Sequence, residues 1–215
     1  MPKYLLMENV KSIINKNHID TFEKWKQRLE NLGYESKQYV LNAADFGNCQ
    51  NRERVFLLSI LKDYKERINF EFKEIKGKKT KKPLSSILEK KNIQFNKKFN
   101  KYSLQAIKVN SSNIKKYLLK NYTNFQSENF VFDINYSGPT LTASGALSRI
   151  KLFYGKNKIR EMLPIECFRY MGFSDKAYNL AKKTKLVNDN KLIYLCGNSI
   201  NVKVLEAIFN NLEFE

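Results

Sequence analysis

The sequence predicts an α/β fold: the C-terminal half of a doubly wound sheet, interrupted by an irregular α+β insert. Two observations lead there. Through residue 61, short apolar runs that end in polar residues alternate with one helical pattern. From about residue 62 that order gives way to a stretch rich in lysine, asparagine and aromatics, and helical periodicity returns near Pro164. The boundaries expected are 1–61 for a partial α/β domain, 62–158 for the insert and 159–215 for return helices that complete the first domain.

Tyr4-Leu5-Leu6-Met7 reads as a buried parallel strand ending in polar Glu8 and Asn9. A helix follows. Asp20 and Glu23 are placed for a capping box, and Phe22, Trp25, Leu29 and Leu32 recur at near-helical spacing until Gly33 stops them. Trp25 falls on the buried stripe of that pattern. Tyr39-Val40-Leu41 and Val55-Phe56-Leu57-Leu58-Ser59-Ile60 read as two further strands. A half-sheet of this kind buries both faces only against further strands and helices, so an exposed edge is expected. In the insert, the basic, breaker-rich run Lys76–Pro83 precedes an expected helix over Leu84–Lys90, and periodicity stays poor to residue 155. Pro164 is suited to the first position of a short helix, Ile165–Met171, that Gly172 terminates. A last helix around Val202–Leu212 is expected to bury Val202, Leu205, Ile208 and Leu212.

With 215 residues, 42% of them hydrophobic, the chain can build a real core. Its net charge of +18 favours a polyanionic partner, because each neutralised phosphate releases a counterion. Lysine-rich, asparagine-rich composition is also what an AT-rich genome imposes, and the 76–83 run fits a solvated loop as well as a phosphate contact. Three scattered cysteines make neither a disulfide framework nor a zinc site, which points to a reducing cytosol and a cytoplasmic location. The apolar run after Met1-Pro2-Lys3 is too short for a signal peptide. Nowhere do eighteen apolar residues run together, so no membrane partner is expected.

Three strings carry the chemistry. Glu8-Asn9-Val10 and Gln50-Asn51-Arg52-Glu53-Arg54 place one carboxyl and two guanidinium groups at strand ends, where ligands of open α/β sheets collect. Gly197-Asn198-Ser199-Ile200 lies near the C-terminus. Taken alone, Glu8 and Arg54 read either as a structural ion pair or as an acid and a cation poised in a crevice. His18 stands apart from any cysteine or carboxylate cluster and reads as solvent-facing. Cys167 and Cys196, in apolar helix and strand patterns, read as core.

In order and spacing, these strings resemble the DNA (cytosine-C5) methyltransferases. Leu6-Met7-Glu8-Asn9-Val10 resembles that family's Glu-Asn-Val motif. Asn42-Ala43-Ala44-Asp45-Phe46-Gly47 leading into Gln50-x-Arg52-x-Arg54 resembles its Gln-x-Arg-x-Arg motif. Ser137-Gly138-Pro139-Thr140-Leu141-Thr142 resembles a segment late in its target-recognition domain. Arg160–Gly172 looks like the helix after that domain, and Gly197–Ile200 looks like the last motif. In detail the likeness is to bacterial enzymes that methylate CpG. It covers essentially the whole chain and implies a Rossmann-like methyltransferase sheet with residues 62–158 as target-recognition domain.

Carried over, the resemblance implies that Glu8 is the acid at cytosine N3, that Asn9 supports the nucleophile loop, and that Arg54, with Arg52 beside it, holds cytosine O2. These interactions make C6 susceptible to a thiolate. Asn198 and Ser199 would help close an S-adenosylmethionine pocket, and Thr142 would touch the DNA backbone near an extruded base. Thr140, Ser144 and Arg149 are weaker DNA-binding candidates. The family's glycine-rich loop and Pro-Cys nucleophile precede Glu-Asn-Val and are not in these residues. Asn48-Cys49-Gln50 imitates Pro-Cys-Gln by letters, but it lacks the proline and follows Glu-Asn-Val. The expectation is one portion of a methyltransferase, inactive alone, either one subunit of a split enzyme completed by a partner chain or the downstream product of an interrupted gene, acting on duplex DNA in a restriction-modification system. The alternatives are an inactive DNA-reading remnant and a tRNA methyltransferase; the long insert argues against the last.

Overall fold

The computed structural model describes residues 1–78, 80, 82–143, 149–156 and 158–212. The N-terminal sheet has three strands, β1 (Tyr4–Val10), β2 (Tyr34–Asn42) and β3 (Glu53–Leu61), in the order β1-β3-β2. β3 runs antiparallel to both neighbours. The parallel neighbour expected for β1 is therefore corrected: β1 and β2 run the same way, but β3 inserts between them. Central β3 reads as an unbroken apolar run because both its faces are covered. Val55 and Leu57 pack under Phe22 and Leu29 of α1 (Ile19–Asn31). Phe56 and Leu58 pack under Val204 and Ile208 of α6 (Val202–Phe209). The first and last segments of the chain thus share one layered unit.

Three local expectations are corrected. Helix α1 starts at Ile19 with His18 at its N-cap and no side-chain cap, so the Asp20/Glu23 capping box does not form; Glu23 pairs with Lys26 instead. Trp25 is 37% exposed, stacked on Phe22 at the edge of the stripe. Leu84–Lys90 is no helix beyond a single 3-10 turn, Leu84–Ser86. There the amides of Leu84 and Ser85 donate to the Tyr136 and Ile134 carbonyls, and the Glu89 amide, which a helix would pair with the Ser85 carbonyl, donates to Glu166 Oε1 at 2.8 Å instead.

After α2 (Lys62–Arg67), the basic run lies along the β2–β3 connection: Thr80 donates to the Ala44 carbonyl and Lys82 to that of Gly47. A five-stranded sheet follows, in the order β4 (Leu104–Ile107), β5 (Lys116–Leu119), β6 (Phe130–Asp133), β7 (Lys151–Phe153), β8 (Ile159–Glu161); only β6 and β7 pair in parallel. Helices α3 (Pro164–Tyr170), α4 (Asp175–Lys183) and α5 (Asp189–Asn198) then return towards the first sheet. Pro164 opens α3, and Gly172, at φ +87°, ends it in the left-handed conformation that glycine tolerates. Cys196 lies on a helix, not a strand. Residues Asp189–Phe209 are apolar and long enough to span a bilayer by composition. The run is nevertheless two helices, and Leu192, Ile193, Cys196, Val204 and Ile208 are buried within the protein.

Candidate active site

Glu8 stands opposite Phe56 across the β1–β3 ladder, and Arg54 stands opposite Val10. This diagonal places both side chains on one face of the sheet at its open end. There Arg54 Nε lies 3.0 Å from Glu8 Oε1, and Arg54 Nη1 donates to the Glu53 carbonyl at 2.7 Å. Burial lowers the Arg54 pKa, opposed by the adjacent Glu8 carboxylate.

Arg52 behaves differently. It is only 5% exposed, and its guanidinium donates to three backbone carbonyls: Leu141 (2.9 Å), Gly197 (3.0 Å) and Ser199 (3.0 Å). Two of these acceptors belong to the C-terminal end of α5, where unpaired carbonyls concentrate partial negative charge. Burial, then the neighbouring Arg54, lowers the Arg52 pKa to about 10. Gln50 makes a second cross-link: its amide donates to the Tyr170 carbonyl and accepts from the Leu141 amide. Thr140 donates its hydroxyl to the Asn51 carbonyl at 2.7 Å.

These ties draw three distant segments around a cavity of about 380 Å³, lined by Glu8, Asn9, Arg52, Arg54, Thr140, Thr142 and Asn198, among others. Close approach depends on two glycines. A Cβ on Gly197 would sit 2.5 Å from the Thr142 carbonyl oxygen, and one on Gly138 would sit 2.2 Å from the Tyr170 hydroxyl.

Not every sequence candidate converges here. Arg149 donates to Asn190 and Glu161 at a separate cavity of about 540 Å³. Ser199 donates its hydroxyl to the Cys196 carbonyl and so shapes the turn after α5. Ser144 lies outside the described residues. Cys49 is fully buried, and burial pushes its thiol up to about 12. In the sequence only their place inside the arginine motif marks Gln50 and Asn51, yet they brace the cavity from behind by accepting from Leu141 and Thr140, which line it. Sequence reasoning also missed the buried pair in which Arg160 holds both Glu166 oxygens at 2.7 Å.

The C-5 cytosine-specific DNA methylase family matches residues 1–213. The chain belongs to this family. Among its curated relatives, the orphan methyltransferase M.SssI of Spiroplasma monobiae is 44% identical over 99% of this chain and 53% of its own length. The type II methyltransferase M2.ScrFI of Lactococcus lactis subsp. cremoris is 35% identical over 98% and 54%. The chain therefore spans about half the length of these two relatives. In structure it is similar to the Schizosaccharomyces pombe Dnmt2 methyltransferase, with a TM-score of 0.63 at 20% identity over 97% of this chain and 65% of that one. Spodoptera frugiperda DNMT2 gives a TM-score of 0.65 at 18% identity, over 97% and 66%. The fold is that of an α/β methyltransferase.

Proposed function

We propose that this chain is the C-terminal portion of a DNA (cytosine-5-)-methyltransferase. It holds an extruded cytosine against Glu8 and Arg54 and places it for methyl transfer to C5, at CpG in bacterial duplex DNA. The observation that carries the reading is the convergence of Glu8, Arg54, Thr140, Thr142 and Asn198 on one cavity. CpG rests on the sequence resemblance.

Cytosine C5 is a weak nucleophile until a thiolate adds to C6. Interactions at N3 and O2 make that addition possible, because they stabilise charge that develops on the ring. Glu8 is the acid for N3: its Oε1 takes the Arg54 N–H, and Oε2 is the carboxyl oxygen for the base. Arg54 donates to O2 and, through the same ion pair, fixes the carboxyl. Arg52 acts one layer behind, holding the walls together through its three carbonyl acceptors. Thr140 braces the rim, and Thr142 meets the DNA backbone.

S-adenosylmethionine would supply the electrophilic methyl group. The carboxamide of Asn198 on the cavity wall offers both a donor and an acceptor to that cofactor's polar end, which fits it. Ser199 would orient Asn198 through its turn. No cysteine lines this cavity among the described residues. The family resemblance implies that a glycine-rich loop and a Pro-Cys nucleophile come from outside these residues, and the reading places them on a partner chain that docks at β1, in a cytoplasmic restriction-modification system.

Co-expression with the N-terminal half of a related methyltransferase tests this. Methylation of CpG duplex should appear only in the complex. Glu8→Gln or Arg54→Ala should then reduce turnover about 10²–10³-fold, roughly 3 kcal/mol, with assembly intact. If both variants turn over at the parent rate, the roles assigned to Glu8 and Arg54 are wrong. A complex that binds DNA but never methylates it favours an inactive DNA-reading remnant.

A further inference from the structure

We propose that Tyr170 is a positioning residue for the bound nucleotide: its hydroxyl sets the segment 139–142, and through it Thr140 and Thr142, against the base that Glu8 and Arg54 hold. This rests on the methyltransferase reading above and adds to it a residue that does not itself line the cavity.

Tyr170 is the last residue of α3, so its carbonyl is one of those a helix leaves without a partner. That carbonyl accepts from Asn48 Nδ2 at 3.0 Å and from Gln50 Nε2 at 2.9 Å. At the other end of the same residue, the phenolic hydroxyl donates to the Pro139 carbonyl at 2.6 Å. A single residue therefore ties two walls of the cavity together. One is the segment that leads into Arg52 and Arg54, the other the segment that leads into Thr140 and Thr142.

The hydroxyl acts on direction. The Pro139 carbonyl shares a peptide plane with the Thr140 amide, so fixing the carbonyl fixes the course on which Thr140 continues. Thr140 then donates to the Asn51 carbonyl, the Leu141 amide donates to Gln50 Oε1, and the Leu141 carbonyl accepts from Arg52. Thr142 emerges exposed at the end of this run. A tilt at Pro139 would be carried to both threonines.

Core packing alone asks only for an apolar ring at this place, among Cys49, Leu84 and Leu141. A fully buried hydroxyl needs a partner, and Pro139 supplies it. Burial holds the Tyr170 pKa well above the ordinary tyrosine value, which keeps the phenol a donor near neutral pH. The fit leaves no room for a side chain at residue 138, whose amide donates to the Cys49 carbonyl and whose carbonyl accepts from the Asn51 amide.

In the complex co-expressed with the N-terminal half of a related methyltransferase, Tyr170→Phe removes the hydroxyl and keeps the ring. KM for CpG duplex should rise about tenfold, the effect of leaving one buried carbonyl unpaired. The kcat should stay within about twofold, because an interaction shared by bound substrate and transition state does not enter it. Loss of folded enzyme would lower kcat and leave KM in place, so KM separates positioning from packing. Tyr39→Phe takes a buried hydroxyl from the Lys73 carbonyl, away from the cavity, and should leave KM unchanged.

A second measurement reads the contact without turnover. In the full chain, Gly138→Ala should lower the urea midpoint. The drop should be smaller in the Tyr170→Phe background, where the remaining ring atom, Cζ, lies 3.1 Å from the new methyl group. An unchanged KM for Tyr170→Phe, or a fall in kcat alone, overturns the positioning role. Additive effects of the two substitutions overturn the contact on which it depends. If the substitutions are coupled but the parent complex methylates nothing, the methyltransferase reading fails and takes the role with it.

Discussion

At the scale of single residues, two arginines one position apart in a motif perform different work. Arg54 meets a carboxylate in an open cavity, while Arg52 is consumed by three backbone carbonyls. The sequence showed both as candidates and could not separate them, because the acceptors of Arg52 come from residues 141, 197 and 199. The cysteines were legible as core, and their burial has a measurable consequence. Burial pushes Cys49 and Cys196 up to about 12 and raises Cys167 as well. Their unfolded thiols ionise near pH 8.5–9. Above that pH the unfolded chain loses protons that the folded chain keeps, so stability falls as pH rises from about 9 towards 12. The limit is about 1.4 kcal/mol per pH unit for each thiol. Urea midpoints measured at pH 7, 9 and 10 should be steady and then drop. Replacing Cys49 and Cys196 by alanine should flatten that drop, and an unchanged pH profile in the double variant would show that the thiols are not its source.

At the scale of elements, the strands at 4–10, 34–42 and 53–61 and the helices at 164–170 and 202–209 fall where apolar runs and periodicity put them. The second strand is longer than Tyr39–Leu41, however, and the last helix ends at Phe209 and fully buries Val204 and Ile208 in place of the expected Val202/Leu205/Ile208/Leu212 stripe. The failures have two causes. Glu23 is taken by Lys26 and Trp25 stacks on Phe22, each within one helical turn, whereas the helix at 84–90 lost to partners distant in sequence. The insertion of β3 between β1 and β2 was equally out of reach, since strand order leaves no mark on residue spacing. Gly197 shows how tightly elements meet at the cavity. Gly197→Ala would put a methyl group 2.5 Å from a backbone oxygen of residue 142, so α5 or the 139–143 segment must move. The expected loss is about 1–3 kcal/mol, read from chemical denaturation. Parent-like stability would mean that α5 shifts freely, and the clamp by Arg52 would then be weaker than its geometry implies.

At the scale of the molecule, charge and topology dominate. A net charge of +18 predicts duplex binding that weakens steeply with salt. With roughly six phosphates engaged, affinity should fall about 10³-fold between 50 and 200 mM. Titrations showing a flat dependence would assign the lysines to genomic composition instead.

The central place of β3 also constrains how the molecule can be made. β2 finds β3 across one short connection, whereas Tyr4 must wait for Ile60 and Val10 for Arg54. Closing the shorter loop first costs less chain entropy. On a translating ribosome β1 emerges first and is hydrogen-bonded into the sheet after both other strands have emerged. The carboxylate and guanidinium that face one another in the cavity are thus brought together by the late pairing of this sheet, and an intact Glu8–Arg54 contact marks a chain whose first and third strands have joined.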